Sequence, residues 1–260
     1  MRYCRFSTSD GPKYGLIEII NSTEQITQIA SDGPLPDFAR AGRSAPVPLS
    51  SVSLLEPVRP SKILCVGRNY ADHAKELGNE VPVEPLLFFK PPTSLLSPGA
   101  AIVMPGPISQ RVEYEGELTL VIGRSCRNVG AGEDVRPYIF GYTCANDVTA
   151  RDLQKKDGQW WRAKGFDTFC PVGPIVSDEI DPWAGVQVET RVNGAVKQSA
   201  STKIFIFSLD RIIRHIAQVM TLLPGDIVLT GTPAGVGPLT SGDEVSVTVE
   251  GIGTLSNPVK

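Results

Sequence analysis

The sequence predicts a β-rich α+β fold with few short helices. Glycine and proline number 25 and 22 in 260 residues and cut the chain into short segments suited to strands and turns. Only one stretch, Leu209 to Leu222, reads as a long helix, with Ile212, Ile213, Ile216, Val219 and Met220 at helical spacing.

Residues 1–56 read as a small N-terminal section. Within it, Tyr14 to Ile20 and Glu24 to Ala30 form a strand pair, and a polar, Pro-rich stretch follows. Pro57 and Pro60 bracket the passage into a main section, 57–260. Lys62 to Gly67 is a buried strand by its apolar run. Tyr70 to Leu77 is a short helix ended by Gly78, a C′ glycine. Leu86 to Lys90 is a strand stopped by Pro91-Pro92. The segments 225–231 and 243–250 are strands, the second alternating strictly.

A chain of 260 residues makes one large domain, or one domain with a small appendage. Hydrophobic content of 41% and charged content of 20% describe an ordinary soluble globular protein. The net charge of −3 and pI near 5.5 provide no basic field for nucleic acid or an anionic membrane. No apolar stretch approaches the roughly 20 residues that span a bilayer. The first ten residues lack the apolar core of a signal peptide. The five cysteines (Cys4, Cys65, Cys126, Cys144, Cys170) are scattered and never form Cys-x-x-Cys. A disulfide framework and a zinc site are therefore not expected, whereas a cytoplasmic location and buried, apolar thiols are.

Carboxylates carry most of the chemistry. The segment 112–122, Val-Glu-Tyr-Glu-Gly-Glu-Leu-Thr-Leu-Val-Ile, reads as one strand entering a core. Residues two apart on a strand share a face, so Glu115 can pair with Glu117 or with Glu113. Such a pair is commonly the wet face of an edge strand. Beside an apolar run, however, two carboxylates repel and are costly to desolvate, and a hard divalent cation relieves both problems. Asp147 is the natural third ligand. Three protein oxygens leave about three octahedral positions for water and substrate.

His73 and Glu76 lie three apart on the short helix and share a face. A carboxylate beside an imidazole orients it and raises its basicity, so the pair can draw a proton from water. The bland alternative is a histidine decorating a surface helix. The stretch Thr230-Gly-Thr-Pro-Ala-Gly-Val-Gly brings backbone N–H groups close together, as suits a carboxylate. It lacks the Lys-Ser/Thr ending of a nucleotide P-loop.

Several of these blocks, in this order, resemble the fumarylacetoacetate hydrolase family, in its branch of acylpyruvate hydrolases and 2-hydroxyhepta-2,4-diene-1,7-dioate isomerases. They are Cys65-Val-Gly-Arg-Asn-Tyr-Ala-Asp-His-Ala-Lys-Glu, Phe89-Lys-Pro-Pro-Thr-Ser, Tyr114-Glu-Gly-Glu-Leu, Gly141-Tyr-Thr-Cys-Ala-Asn-Asp-Val-Thr-Ala-Arg-Asp-Leu-Gln, Ala163-Lys-Gly-Phe-Asp-Thr-Phe-Cys-Pro-Val-Gly-Pro, and Leu229-Thr-Gly-Thr-Pro-Ala-Gly-Val-Gly-Pro.

The resemblance implies a mixed β-sandwich roll, a catalytic section over 57–260 and a homodimer. It implies Mg²⁺ or Mn²⁺ on Glu115, Glu117 and Asp147 rather than on Glu113. His73 and Glu76 fall on a lid helix that closes over the site in hydrolytic members. Lys164 faces the metal and pairs with a substrate oxygen. Gln154, Thr232 and Arg68 are expected to contact substrate. Lys90 is either structural or a contact to a distal acid group, and Arg151 a structural partner. Relatives carry Ser where this chain has Gly165, a change that adds backbone freedom.

The substrate implied is a small 2-oxo acid, which chelates a metal through its carboxylate and keto oxygens. The first expected function is a metal-dependent hydrolase or decarboxylase of acylpyruvate-type acids, cleaving a carbon–carbon bond through a metal-stabilised enolate. The alternative is an isomerase or tautomerase of 2-hydroxy-2,4-dienedioates or oxaloacetate. A metal-bearing binding protein without activity fits poorly with a carboxylate trio beside a lysine.

Overall fold

Short apolar runs punctuated by Gly and Pro cannot build long helices, and the chain resolves into strands. The structure, a computed structural model, describes residues 1–31, 33–38 and 44–260. Parts of the Pro-rich stretch, residues 32 and 39–43, lie outside the described residues. The main body is a twelve-stranded mixed sheet. Its central order is Arg2–Phe6, Cys170–Ser177, Ile139–Asn146, Gly116–Ile122, Ile227–Leu229, Ile63–Gly67 and Leu86–Lys90. Lys13–Ile20 and Thr23–Ile29 extend it beyond Arg2–Phe6. The N-terminal strands are therefore bonded into the main sheet, through Arg2 opposite Ser177 and Tyr3 opposite Val176.

A second, four-stranded antiparallel sheet runs Ala195–Ser201, Gln187–Val192, Glu244–Val249, Gly253–Pro258. It packs on one face of the main sheet together with the helix Leu209–Val219. Leu118, Leu120, Ile122 and Cys144 meet Val188, Val247, Val249, Leu255, Ile212 and Ile216 in this core. Val121, Ala145, Cys65, Cys170, Ile227 and Leu229 form a second core on the opposite face. Gly116–Ile122 is thus buried on both sides, and its residues divide between the two faces with the period of two that a strand dictates. All five cysteines are buried and free, and burial pushes Cys4, Cys144 and Cys170 up to about 12, as suits inert packing groups.

Two expectations need correction. The helix expected to reach Leu222 stops at Val219. Leu222 exchanges backbone hydrogen bonds of 3.0 Å with Cys126, and Pro224 disfavours helical backbone just before it. Val219 is 63% exposed, because the last turn stands outside the core that holds Ile212, Ile213, Ile216 and Ala217. The segment 112–122 is not one strand. Val112–Tyr114 belongs to a three-stranded sheet with Thr149–Ala150 and Gly237–Pro238, whereas Gly116–Ile122 belongs to the main sheet. The chain changes sheets at Glu115.

Asp226 ties the two parallel strands Ile63–Gly67 and Ile227–Leu229 together at their entry. It is fully buried and accepts from the Ser61 N–H (3.1 Å), the Ser61 hydroxyl (2.7 Å), the Lys62 N–H (3.2 Å) and the Leu223 N–H (2.8 Å), and it pairs with the Lys62 ammonium. Removing one partner of a buried ionic network leaves the others unsatisfied. Asp226→Ala is expected to cost about 3–5 kcal/mol by urea denaturation. A loss under about 1 kcal/mol would show that water replaces this hub.

Candidate metal centre and active-site pocket

The change of sheets at Glu115 creates the site. At the break, the Glu115 N–H donates to Asn146 Oδ1 (2.9 Å) and the Asp147 N–H donates to the Glu115 carbonyl (2.8 Å). Glu117 opposes Ala145 in the neighbouring strand, close to where that strand ends before Asp147. One oxygen from each of Glu115, Glu117 and Asp147 falls within 4.8 Å of the others, and all three residues are buried. The strand pattern left Glu117 and Glu113 both open as partners of Glu115, and the structure brings Glu117, not Glu113, to Glu115 and Asp147. Glu113 stays with its own sheet and turns to Arg151 (2.7 Å) and Arg111 (2.5 Å).

The charges do not balance evenly around these groups. Arg151 bridges Glu113 and Glu115. Lys164 reaches Glu115 (2.7 Å) and Asp147 (2.6 Å). Lys90 reaches the other oxygen of Asp147 (2.6 Å). Glu117 makes no ion pair among the described residues and accepts the Gly231 N–H at 2.6 Å. Burial pushes the Glu117 carboxyl well up, and Asp147 and Glu115 push it further. Burial also pushes Glu115 up, but Lys164 and Arg151 outweigh it and hold that carboxyl below the ordinary range. Three convergent carboxylate oxygens, one of them on a group with no cation of its own, fit a hard divalent cation in both donor type and charge. Glu115, Glu117 and Asp147 could hold it.

His73 is buried on the helix Ala71–Glu76, and its Nδ1 lies 3.4 Å from Glu76 Oε2. Burial lowers its basicity, against the pull of Glu115 and Glu76, so the imidazole is held neutral more firmly than usual. Both oxygens of Glu76 also accept the Gly235 N–H, at 3.1 and 3.2 Å. The backbone N–H groups of residues 230–237 therefore already serve two of the protein's own carboxylates, Glu117 and Glu76. Burial works against the Lys164 charge, but Asp147 and Glu115 outweigh it and keep the ammonium above its ordinary value.

A cavity of about 210 Å³ opens over these groups. His73, Lys164, Gln154, Thr232 and Arg68 all line it with the three carboxylates, as do Arg151, Lys155 and Trp160. Thr232 is fixed from behind, donating to the Gly116 carbonyl (2.9 Å) and accepting from Gln198 (2.7 Å). Glu76 stands beside His73 without lining the cavity. Lys90 does not line it either: 1% exposed, it sits behind Asp147, which favours the structural one of its two readings over a contact to a distal acid group. The reading of Gly165 is corrected. Its φ of −108° is open to any residue, but an added Cβ would lie 2.4 Å from the Trp161 carbonyl, so the position lacks space rather than needing freedom. Asn146, Gln198 and Lys155 were not singled out. Only Lys155 had a signal, at four residues from Arg151 on one helix face.

Comparison with known proteins places the chain among relatives of one family. Residues 62–260 match the family described as fumarylacetoacetate (FAA) hydrolase C-terminal, and residues 1–57 match one described as Rv2993c-like, N-terminal. Protein Rv2993c of Mycobacterium tuberculosis is 48% identical, covering 100% of this chain and 98% of its own. Oxaloacetate tautomerase YisK of Bacillus subtilis is 43% identical over 81% of this chain and 74% of its own. A crystal structure of 5-carboxymethyl-2-hydroxymuconate delta-isomerase from Mycobacterium smegmatis superposes with a TM-score of 0.88 at 45% identity, covering 100% of this chain and 99% of that one.

The unpaired charge of Glu117 gives a test in two directions. In chelator, Glu117→Gln should leave the melting temperature unchanged or raise it, since it replaces a carboxyl whose charged form burial, Asp147 and Glu115 all disfavour. With Mg²⁺ or Mn²⁺ added, the wild type should gain several degrees and the variant little. Destabilisation of the metal-free variant, with an undiminished metal shift, would contradict this reading of the site.

Proposed function

The chain belongs to the fumarylacetoacetate hydrolase family, and we propose that it is a metal-dependent keto–enol isomerase of small 2-oxo acids. The observation that carries this reading is the cluster of Glu115, Glu117 and Asp147 facing Lys164 and His73 across one small cavity. A bound divalent cation, Mg²⁺ or Mn²⁺, supplies Lewis-acid charge to the carboxylate and keto oxygens of such an acid. The protein's own groups do the rest. Lys164 presents a fixed positive charge beside the carboxylates, where negative charge grows on the substrate oxygen. His73, held neutral by burial, takes a proton from carbon and returns one. Its Nδ1 faces Glu76, which leaves Nε2 for that transfer. Gln154 and Thr232 orient the acid.

Isomerisation moves ahead of hydrolysis for three reasons. Proton transfer between carbon and oxygen needs one imidazole, whereas activating water needs a tight dyad, and the His73–Glu76 contact is 3.4 Å with Glu76 also engaged by Gly235. A cavity of about 210 Å³ is below the roughly 300–1,000 Å³ that drug-sized ligands occupy and suits a short acid. Two of the three relatives named above are, by name, a tautomerase and an isomerase. Hydrolysis of acylpyruvates is the second reading, and the presence of the His73–Glu76 pair favours it. A homodimer belongs to the same proposal. Light scattering that gives a single-chain mass of 28.0 kDa at micromolar concentration would refute it.

The reaction is tested by incubating metal-loaded protein with enol-oxaloacetate, a 2-hydroxy-2,4-dienedioate, acetylpyruvate and fumarylpyruvate, followed by NMR. Isomerisation should dominate and stop on chelation. His73→Ala should lower it by about 10²–10⁴-fold, the range for losing a general acid–base group. Lys164→Ala should depress every reaction that passes through an enolate. Activity that survives chelation would contradict the proposal, and acylpyruvate hydrolysis outrunning isomerisation would promote the second reading.

A further inference from the structure

A second cavity, of about 330 Å³, lies apart from the carboxylates and shares no lining residue with the first. Three cations line it, Arg5, Lys13 and Arg59, and no carboxylate among the described residues does. The chain as a whole carries a net charge of −3, so this hollow runs against its surroundings. A cleft lined by one sign of charge repels itself and concentrates ions of the other sign.

The fold brings the three cations together. Arg5 lies on the strand Arg2–Phe6, and Lys13 opens the next strand, opposite Phe6. On the other side Arg5 pairs with Leu55, which returns the chain toward Arg59 at the same end of the sheet. Arg5 is held in place: its Nη1 donates to Glu56 (2.7 Å), whose other oxygen accepts the Ser97 hydroxyl (2.6 Å). Its Nε and Nη2 make no hydrogen bond to a described residue. Lys13 and Arg59 make no hydrogen bond or ion pair to any described residue. Burial pushes the Tyr14 hydroxyl up while Arg5 and Arg59 pull it down, so both guanidiniums act on one stretch of the cavity wall. That hydroxyl is fixed by donating to the Pro34 carbonyl (2.8 Å).

We propose that Arg5, Lys13 and Arg59 bind a phosphate group, free or at the end of a small phosphomonoester, at the join between residues 1–57 and 62–260. A phosphomonoester carries about −1.5 to −2 charges at pH 7, gathered on three oxygens of one compact group. Cations that arrive from two strands and a loop can each take one of those oxygens. The guanidiniums offer planar forks that match phosphate, and the ammonium adds a point charge. A dicarboxylate spreads the same charge over two flat, separated groups and matches one converging trio less well. The volume reaches the lower end of the roughly 300–1,000 Å³ of small-molecule sites and leaves room for a short tail. Bound phosphate would tie the N-terminal strands to the chain just before Ile63–Gly67 and stabilise the fold by mass action.

The test is calorimetric titration of the Mg²⁺-loaded protein, at low salt, with inorganic phosphate, glycerol 3-phosphate and malonate. The wild type should bind the two phosphates more tightly than malonate, and its melting temperature should rise with either. Tighter binding of glycerol 3-phosphate would assign the rest of the cavity to a tail, and tighter binding of inorganic phosphate would assign the site to the free ion. Both uphold the site. Arg59→Gln should weaken phosphate binding by about tenfold, Lys13→Gln by a smaller factor and the double change by more than either, whereas Arg59→Lys should retain part of the affinity. Neither side chain has a described partner, so without ligand these variants should melt as the wild type does, which separates lost binding from lost folding. Malonate binding as tightly as phosphate overturns the phosphate assignment. No binding of either phosphate, or an affinity undiminished in the double variant, as for an anion on the metal centre, overturns the site.

Discussion

A carboxylate buried without a cation is among the most expensive groups a protein can keep, and Glu117 is one. It stands on a strand covered on both faces and opens only onto the cavity. Its neighbours Glu115 and Asp147 add repulsion, and the three nearby cations, Lys90, Lys164 and Arg151, are paired to other carboxylates. The surrounding structure makes sense as the means of holding this imbalance still. The main sheet fixes Glu117, the break between two sheets fixes Glu115, and the end of Ile139–Asn146 fixes Asp147. On the reading proposed above, a divalent cation would complete the charge, and a 2-oxo acid would be a natural ligand for what remains of its coordination sphere.

The same scaffold separates tasks by element. Backbone N–H groups around Gly231 and Gly235 hold Glu117 and Glu76 in place. The helix Arg151–Asp157 grades from a guanidinium locked to carboxylates at one end to an ammonium one turn on that has no ion pair among the described residues. The turn around Arg68 and Asn69 is tied to the 230–231 turn, so one rigid corner supports both the Glu117 carboxylate and the stretch of cavity wall that carries Arg68. Rigid support of this kind is what places reacting groups to within a fraction of an ångström.

Much of this was legible in the sequence, for identifiable reasons. Carboxylates inside an apolar run are conspicuous, so Glu115 with Glu117 or Glu113 stood out, the family resemblance narrowed the set to Glu115, Glu117 and Asp147, and His73 with Glu76 shared an evident helix face. Strand positions followed from short apolar runs bounded by Gly and Pro. The break at Glu115 did not, because Asn146 decides it from the neighbouring strand. Gln198 and Asn69 act through partners far along the chain, so no local pattern marks them. Lys90 looked available because a lysine is usually solvated. Its burial depends on partners far along the chain, Asp147 and the Val148 carbonyl. Gly165 looked flexible because local sequence records φ freedom but not the nearness of the Trp161 carbonyl.

Anomalous diffraction from a crystal of the protein grown with Mn²⁺ bears most directly on whether a cation resolves the charge at Glu117. The expected result is one strong peak, within roughly 2.0–2.6 Å of an oxygen from each of Glu115, Glu117 and Asp147. A map with no peak among these carboxylates, with Glu117 still held by the Gly231 N–H alone, would contradict it.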